Sequence, residues 1–125
     1  MSSFEYAPAL ESTSVVDIQS EYKLYIGGKF HPAKAGKVFA TMNPADETML
    51  AKVAYADLVD VNGAVTAARN AYTKVWSKLP AAERGKYLFR IARILQERAR
   101  EFAVLETLDN GKPIRESRDT DIPLA

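Results

Sequence analysis

Asp109 is the residue whose position ordinary helix chemistry leaves unexplained. It stands in Glu101-Phe-Ala-Val-Leu-Glu-Thr-Leu-Asp-Asn-Gly-Lys-Pro113, which reads as the last turns of an amphipathic helix and its stop signal. Phe102, Leu105 and Leu108 recur at a spacing that puts them on one helical face. Asn110 and Gly111 tolerate the left-handed conformation that ends a helix, and Pro113 cannot continue it. Lys112 complements the carbonyl end of the helix dipole, whereas an acid in the same turn is opposed by it. Asp109 therefore calls for a partner from elsewhere in the fold.

Other residues capable of chemistry resolve into plainer roles. Gly111-Lys112 is not a phosphate-binding loop, because Glu106 and Pro113 occupy the places where that motif needs glycine and a hydroxyl residue. His31 is the only histidine and has neither a cysteine nor a nearby acid to share a metal, so a surface position beside a turn is expected. Arg84, Lys86, Arg90, Arg93, Arg98 and Arg100 make one helix basic, with Arg90, Arg93 and Arg100 close to one face. No nucleic-acid motif accompanies them, which favours a solvated face or ion pairs with an acidic segment. Glu101, Glu106, Glu116, Asp119 and Asp121 form no diagnostic catalytic pair.

Composition narrows the choices further. The chain has 125 residues, the length of one domain or part of one. Much of its 47% hydrophobic content is alanine, and the thin spread of large apolar residues suggests a need for a larger body to pack against. Its 17 basic and 16 acidic residues leave a net charge of +1, which steers neither nucleic acid nor membrane. The charge is nevertheless uneven: Glu5, Glu11, Asp17 and Glu21 meet no base in residues 1–21, whereas residues 78–100 are strongly basic. With zero cysteines there is no disulfide and no cysteine nucleophile in this sequence. No apolar run is long enough to span a bilayer, and Met1-Ser-Ser-Phe-Glu-Tyr lacks the order of a signal peptide, so the cytoplasm is the expected compartment.

The elements that must position these residues follow in order. Residues 1–21 show no firm period and read as an extended or disordered arm, with Val15, Val16 and Ile18 able to dock on a neighbour. Residues 22–26 have strand composition, Gly27-Gly28 a two-residue turn, and Lys29-Phe30-His31 a return strand. A second turn at Gly36-Lys37 precedes a strand at residues 38–42, and Asn43-Pro44-Ala45-Asp46 a further turn. The next strand, residues 48–55, should set Met49, Ala51, Val53 and Tyr55 on one face. Asp57 then opens a helix whose residues Val61, Ala64, Val65, Ala68 and Tyr72 should make a buried stripe. Trp76 and Leu79 should plug the seam to a helix starting near Pro80, with Leu88, Ile91, Ala92 and Leu95 as its stripe. The helical pattern runs on to Leu108, too long for one globular helix, so a break is expected near residues 98–101.

Taken together, Leu24-Tyr-Ile-Gly-Gly-Lys-Phe30, Asn43-Pro44-Ala45, Asp60-Val61, Ala64-Val-Thr-Ala-Ala-Arg69, Trp76, Glu83-Arg84 and Leu105 through Pro113 resemble the N-terminal part of the aldehyde dehydrogenase superfamily. That resemblance implies an α/β fold in which short antiparallel strands and about three helices flank a Rossmann-like cofactor domain. Residues 22–125 would be that flank, an incomplete domain. The family oxidises aldehydes to carboxylic acids with NAD or NADP, through a cysteine thioester that a glutamate-activated water hydrolyses. Those catalytic groups and the main cofactor contacts belong to family sequence outside the stretches matched here, so this chain alone is expected to bind no dinucleotide and to be inactive.

The resemblance also implies a partial monovalent-cation site at the Thr41 and Met42 carbonyls and Asp109, and as partners the remainder of the fold or other subunits, with a homo-oligomeric parent. Two alternatives stay open: a small interaction module binding an acidic partner through the basic helix 84–100, and a truncated product without function.

Overall fold

The structure is a computed structural model that describes residues 12–125. Five short strands precede the helices: β1 (Glu21–Tyr22), β2 (Leu24–Ile26), β3 (Lys29–His31), β4 (Val38–Met42) and β5 (Met49–Ala54). Three long helices follow, α1 (Leu58–Lys74), α2 (Ala81–Glu97) and α3 (Ala99–Asn110). The chain closes with α4 (Ile114–Glu116), a π-turn over Ser117–Asp121 and α5 (Ile122–Leu124). The class is α/β, as the resemblance implies. Most of the expected arm lies in residues 1–11, outside the described residues; residues 12–21 form a 3₁₀ turn at Thr13–Val15 and lead into β1.

The strands form two sheets. β2 and β3 make an antiparallel hairpin whose turn glycines take φ of +61° and +80°, the positive values that a two-residue turn requires. In the other sheet, of order β1-β5-β4, β4 runs antiparallel and β1 parallel to β5. The expected strand 22–26 is therefore two strands in two sheets, divided at Lys23. Nothing in the local composition marks that division, because it depends on the pairing of Glu21 and Tyr22 with Lys52 and Val53.

The face assigned to β5 also needs correction. Ala51 and Ala54 are its buried residues, while Met49 is 55% exposed. Thr41 pairs with Ala51 and Met42 with Met49, so Leu50 is an extra residue and the alternation slips there.

Asp57 and Asp60 form a reciprocal capping box at the start of α1. A break does fall between α2 and α3, at Arg98, whose φ of −106° and ψ of 17° leave the helical region. The packed centre of the helical half lies on α3, where Ala103 and Val104 are buried, with Ser117 fully covered beside it. Thr107 and Ser117 share a hydroxyl hydrogen bond of 3.2 Å that fastens the C-terminal helical run onto α3.

The stripes expected on α1 and α2 are not buried within this chain. Val61, Val65 and Tyr72 on α1, and Leu88 and Ile91 on α2, are about half exposed or more. Asp60 is instead the buried residue of α1, and the Gly27 turn approaches Ala67. Trp76 and Leu79 are half-buried at the α1–α2 junction, with the Trp76 ring 5.7 Å from that of Tyr87.

Candidate functional site

Asp109 has the partner its position called for. The Thr41 hydroxyl donates to Asp109 Oδ1 at 2.5 Å, joining the end of β4 to the end of α3 across 68 residues of sequence. Both termini are held by local chemistry. At the strand end, buried Asn43 accepts at its side-chain oxygen from the Ala45 N–H, 3.0 Å, and its own N–H donates to the Thr48 carbonyl, 2.8 Å. Asp46 Oδ1 accepts from both the N–H and hydroxyl of Thr48, and those bonds hold its carboxyl below the usual range.

At the helix end, Gly111 takes φ +77° and its N–H caps the Thr107 carbonyl at 3.0 Å. The Asn110 side chain bridges Glu106 and the Lys112 N–H. Lys112 reaches forward to Asp121 at 2.5 Å, and that hydrogen bond raises the ammonium pKa.

The two termini pack directly on each other. A Cβ placed on Gly111 would lie 3.2 Å from Pro44 Cβ, tighter than ordinary contact, so the Asn43-Pro44 turn needs a residue without a side chain there. Beside this junction lies a cavity of about 340 Å³, lined by Thr41, Glu106 and Asp109 together with Tyr22, Leu50 and Phe102.

Of the three residues expected to hold a cation, Thr41 and Asp109 are brought together through the threonine side chain. Met42 is the next residue of β4, opposite Met49. The Tyr55 N–H donates to the Lys37 carbonyl at 2.8 Å. Bonded pairs alternate along an antiparallel ladder, so Phe39 and Thr41 turn their main-chain groups to β5, while Val38, Ala40 and Met42 turn theirs to the outer edge. A carboxylate with main-chain carbonyl oxygens is a donor set that suits a hard monovalent cation; of that set the structure brings the Asp109 carboxylate to the Thr41 side chain.

Among the described residues Gly27-Gly28 is a hairpin turn and Gly111 a cap closed over by Pro44, so neither forms a phosphate cradle.

The remaining candidates are structural. Asp60, only 7% exposed, accepts from the Lys34 N–H at both oxygens and from the Asp57 N–H, all at 3.2 Å. It ties the exit of the hairpin to the start of α1. Asp57 is the helix start that the sequence showed, and the box adds the return bond from Asp60; the Lys34 contact, 26 residues away, left no signal. His31 is exposed, as expected. On the basic helix Lys86 pairs with Glu83 and Arg93 with Glu97, and Arg98 just beyond pairs with Glu101, so acids one turn away neutralise part of that surface.

Comparison with known proteins supplies the class. The model of the aldehyde dehydrogenase family matches residues 30–125. Aminoacetaldehyde dehydrogenase of Pseudomonas aeruginosa is 45% identical over 102 residues, covering 81% of this chain and 21% of the relative. The mitochondrial benzaldehyde dehydrogenase of Antirrhinum majus is 39% identical over 120 residues, covering 94% of this chain and 22% of the relative. An NAD+ complex of aldehyde dehydrogenase from Bacillus cereus superposes with a TM-score of 0.81 at 41% identity, covering 85% of this chain and 22% of that one.

The chain belongs to the aldehyde dehydrogenase family. It spans about a fifth of the length of the relatives it matches. No helix among the described residues is long and apolar enough to cross a membrane.

Proposed function

We propose that this chain is the N-terminal flank of an NAD(P)-dependent aldehyde dehydrogenase and scaffolds a cofactor domain built by other sequence. Residues 22–125 form the flank, and Glu21 joins it through β1. The observation that carries the reading is the family match over residues 30–125, joined to half-exposed apolar faces on α1 and α2 that suit contact with a larger body. The complete enzyme converts an aldehyde to a carboxylic acid. This chain, which has no cysteine, contributes position rather than chemistry. Within it, Asp109 and the Thr41–Met42 strand end hold a monovalent cation, completed by a ligand from elsewhere in the fold. The hydrogen bond between Thr41 and Asp109 supports that reading, because it keeps the carboxylate at the strand end.

The purified 125-residue chain, mixed with aliphatic and aromatic aldehydes and either NAD or NADP, should give no reduced nicotinamide above background. Turnover by the chain alone would overturn the scaffold role. For the cation, sodium or potassium should raise the thermal midpoint of the complete enzyme relative to tetramethylammonium at equal ionic strength, and should not do so in its Asp109→Asn variant. Equal responses would remove the site.

A further inference from the structure

The Lys112 ammonium lies among carboxylates from three elements. Asp121 of the π-turn accepts its hydrogen bond at 2.5 Å, and Glu106 of α3 and Glu116 of α4 act on it through their charge. Glu106 also lines the cavity that holds Thr41 and Asp109, and Ile122, next to Asp121, lines it too. Lys112 follows Asp109 by three residues, across the left-handed Gly111. The Asn110 side chain fixes where that lysine starts. It accepts from the Lys112 N–H at 3.0 Å and donates to Glu106 at 2.7 Å. The ammonium is thus tethered beside the carboxylates of α3, and Asp121 decides where it rests.

That choice bears on the cavity, because a lysine ammonium and a monovalent metal ion are alternative counter-charges for one carboxylate. A group on a short flexible tether has an effective concentration of roughly millimolar or more. Without Asp121, the Lys112 side chain would therefore compete on the spot with millimolar sodium or potassium in solution. Asp121 is well placed to prevent this. Both side chains of the pair are only one-third exposed, so solvent and salt screen it less than a surface ion pair. The π-turn that carries Asp121 begins at Ser117, which is fully buried and shares its hydroxyl bond with Thr107 of α3.

We infer that Asp121 is a positioning residue that keeps the Lys112 ammonium off the Glu106 and Asp109 carboxylates, leaving their cavity to an added monovalent cation. The inference rests on the cation reading above and adds to it the residue pair that keeps the site free.

The complete enzyme tests it through the thermal midpoint in sodium or potassium against tetramethylammonium at equal ionic strength. The parent should gain, and Asp121→Asn should lose most of that gain. Asp121→Asn combined with Lys112→Met should recover it, since no ammonium is then left to take the site. Asp121→Glu, which keeps a carboxylate, should respond as the parent does. Lys112→Met alone leaves Asp121 in place, so it decides the matter even where Asp121→Asn does not fold. It should gain at a lower sodium concentration than the parent, because the nearby ammonium repels an incoming cation.

A parent that gains nothing removes the cation reading and this inference with it. A gaining parent whose Asp121→Asn variant gains as much overturns this inference alone. So does a double variant that stays unresponsive, or a Lys112→Met variant whose gain is lost or needs as much sodium as before.

Discussion

Asp109 links sequence and structure most tightly. Its carboxylate accepts from Thr41, and each residue makes the contact only because its own backbone is fixed, by the Gly111 cap on one side and the Asn43 turn on the other. Thr41→Val should cost about 1 kcal/mol of stability, the usual net value of a side-chain hydrogen bond. Asp109→Ala removes the same acceptor but also an acid that the helix dipole opposes, so it should cost less than Thr41→Val, and the double variant less than the sum, because the pair shares one bond. Urea unfolding of the four proteins measures that coupling; strict additivity would mean the bond contributes nothing.

Charge pairs at the same scale set a pH dependence. The hydrogen bond from Lys112 to Asp121 raises the lysine pKa, so its stabilisation is fully present below the ordinary lysine value of about 10.4 and is lost as pH rises through the raised one. Asp46, through its bonds to Thr48, Glu101, through its bond to Arg98, and Asp119, through its bond to Arg118, are lowered. Their contribution is present above the ordinary carboxylate range and is lost as pH falls through the lowered values. Lys112→Met should therefore flatten the alkaline limb of a stability profile and leave the acid limb unchanged, as denaturant midpoints across pH would report.

Elements with a local cause were legible in the sequence. Gly27-Gly28 announces a hairpin because both positions need positive φ. Asp57 announces a cap, and the length of the pattern from Ala81 to Leu108 announces the break found at Arg98. What was not legible depends on partners far away in sequence. The division at Lys23 follows from β1 choosing β5, the slip at Leu50 from a register shift, and the burial of Ala103 and Val104 from elements that arrive on both sides of α3.

The bond between Thr41 and Asp109 stood between these cases: helix chemistry asked for a partner, and only the family resemblance pointed to the Thr41–Met42 strand end. The contact of Gly111 with Pro44 had no signal beyond the cap itself, and it makes its own prediction. Gly111→Ala should cost about 1–2 kcal/mol from the left-handed backbone alone. The crowding of Pro44 adds to that, so the loss should exceed the one seen when a solvent-facing left-handed glycine such as Gly36 is changed in the same way. Equal losses at the two positions, measured by urea midpoint, would show that Pro44 yields freely.

At the scale of the whole molecule the apolar stripes of α1 and α2 are correct in period and wrong in burial. Helical spacing shows that a face is apolar; it does not show what covers it. Leu58, Leu88, Phe89 and Ile91 are 74%, 63%, 70% and 56% exposed, so large apolar side chains on both helices stay uncovered within this chain. The relatives are about five times longer, which is consistent with faces shaped for a body this chain does not itself provide.

Scanning calorimetry of the purified 125-residue chain tests that account most directly. A self-sufficient domain absorbs about 0.7 kcal/mol per residue near 60 °C in one sharp transition. Here the expected result is a broad transition with an enthalpy per residue well below that value and a midpoint that rises with protein concentration. A sharp, concentration-independent transition of a monomer carrying the full enthalpy would contradict it.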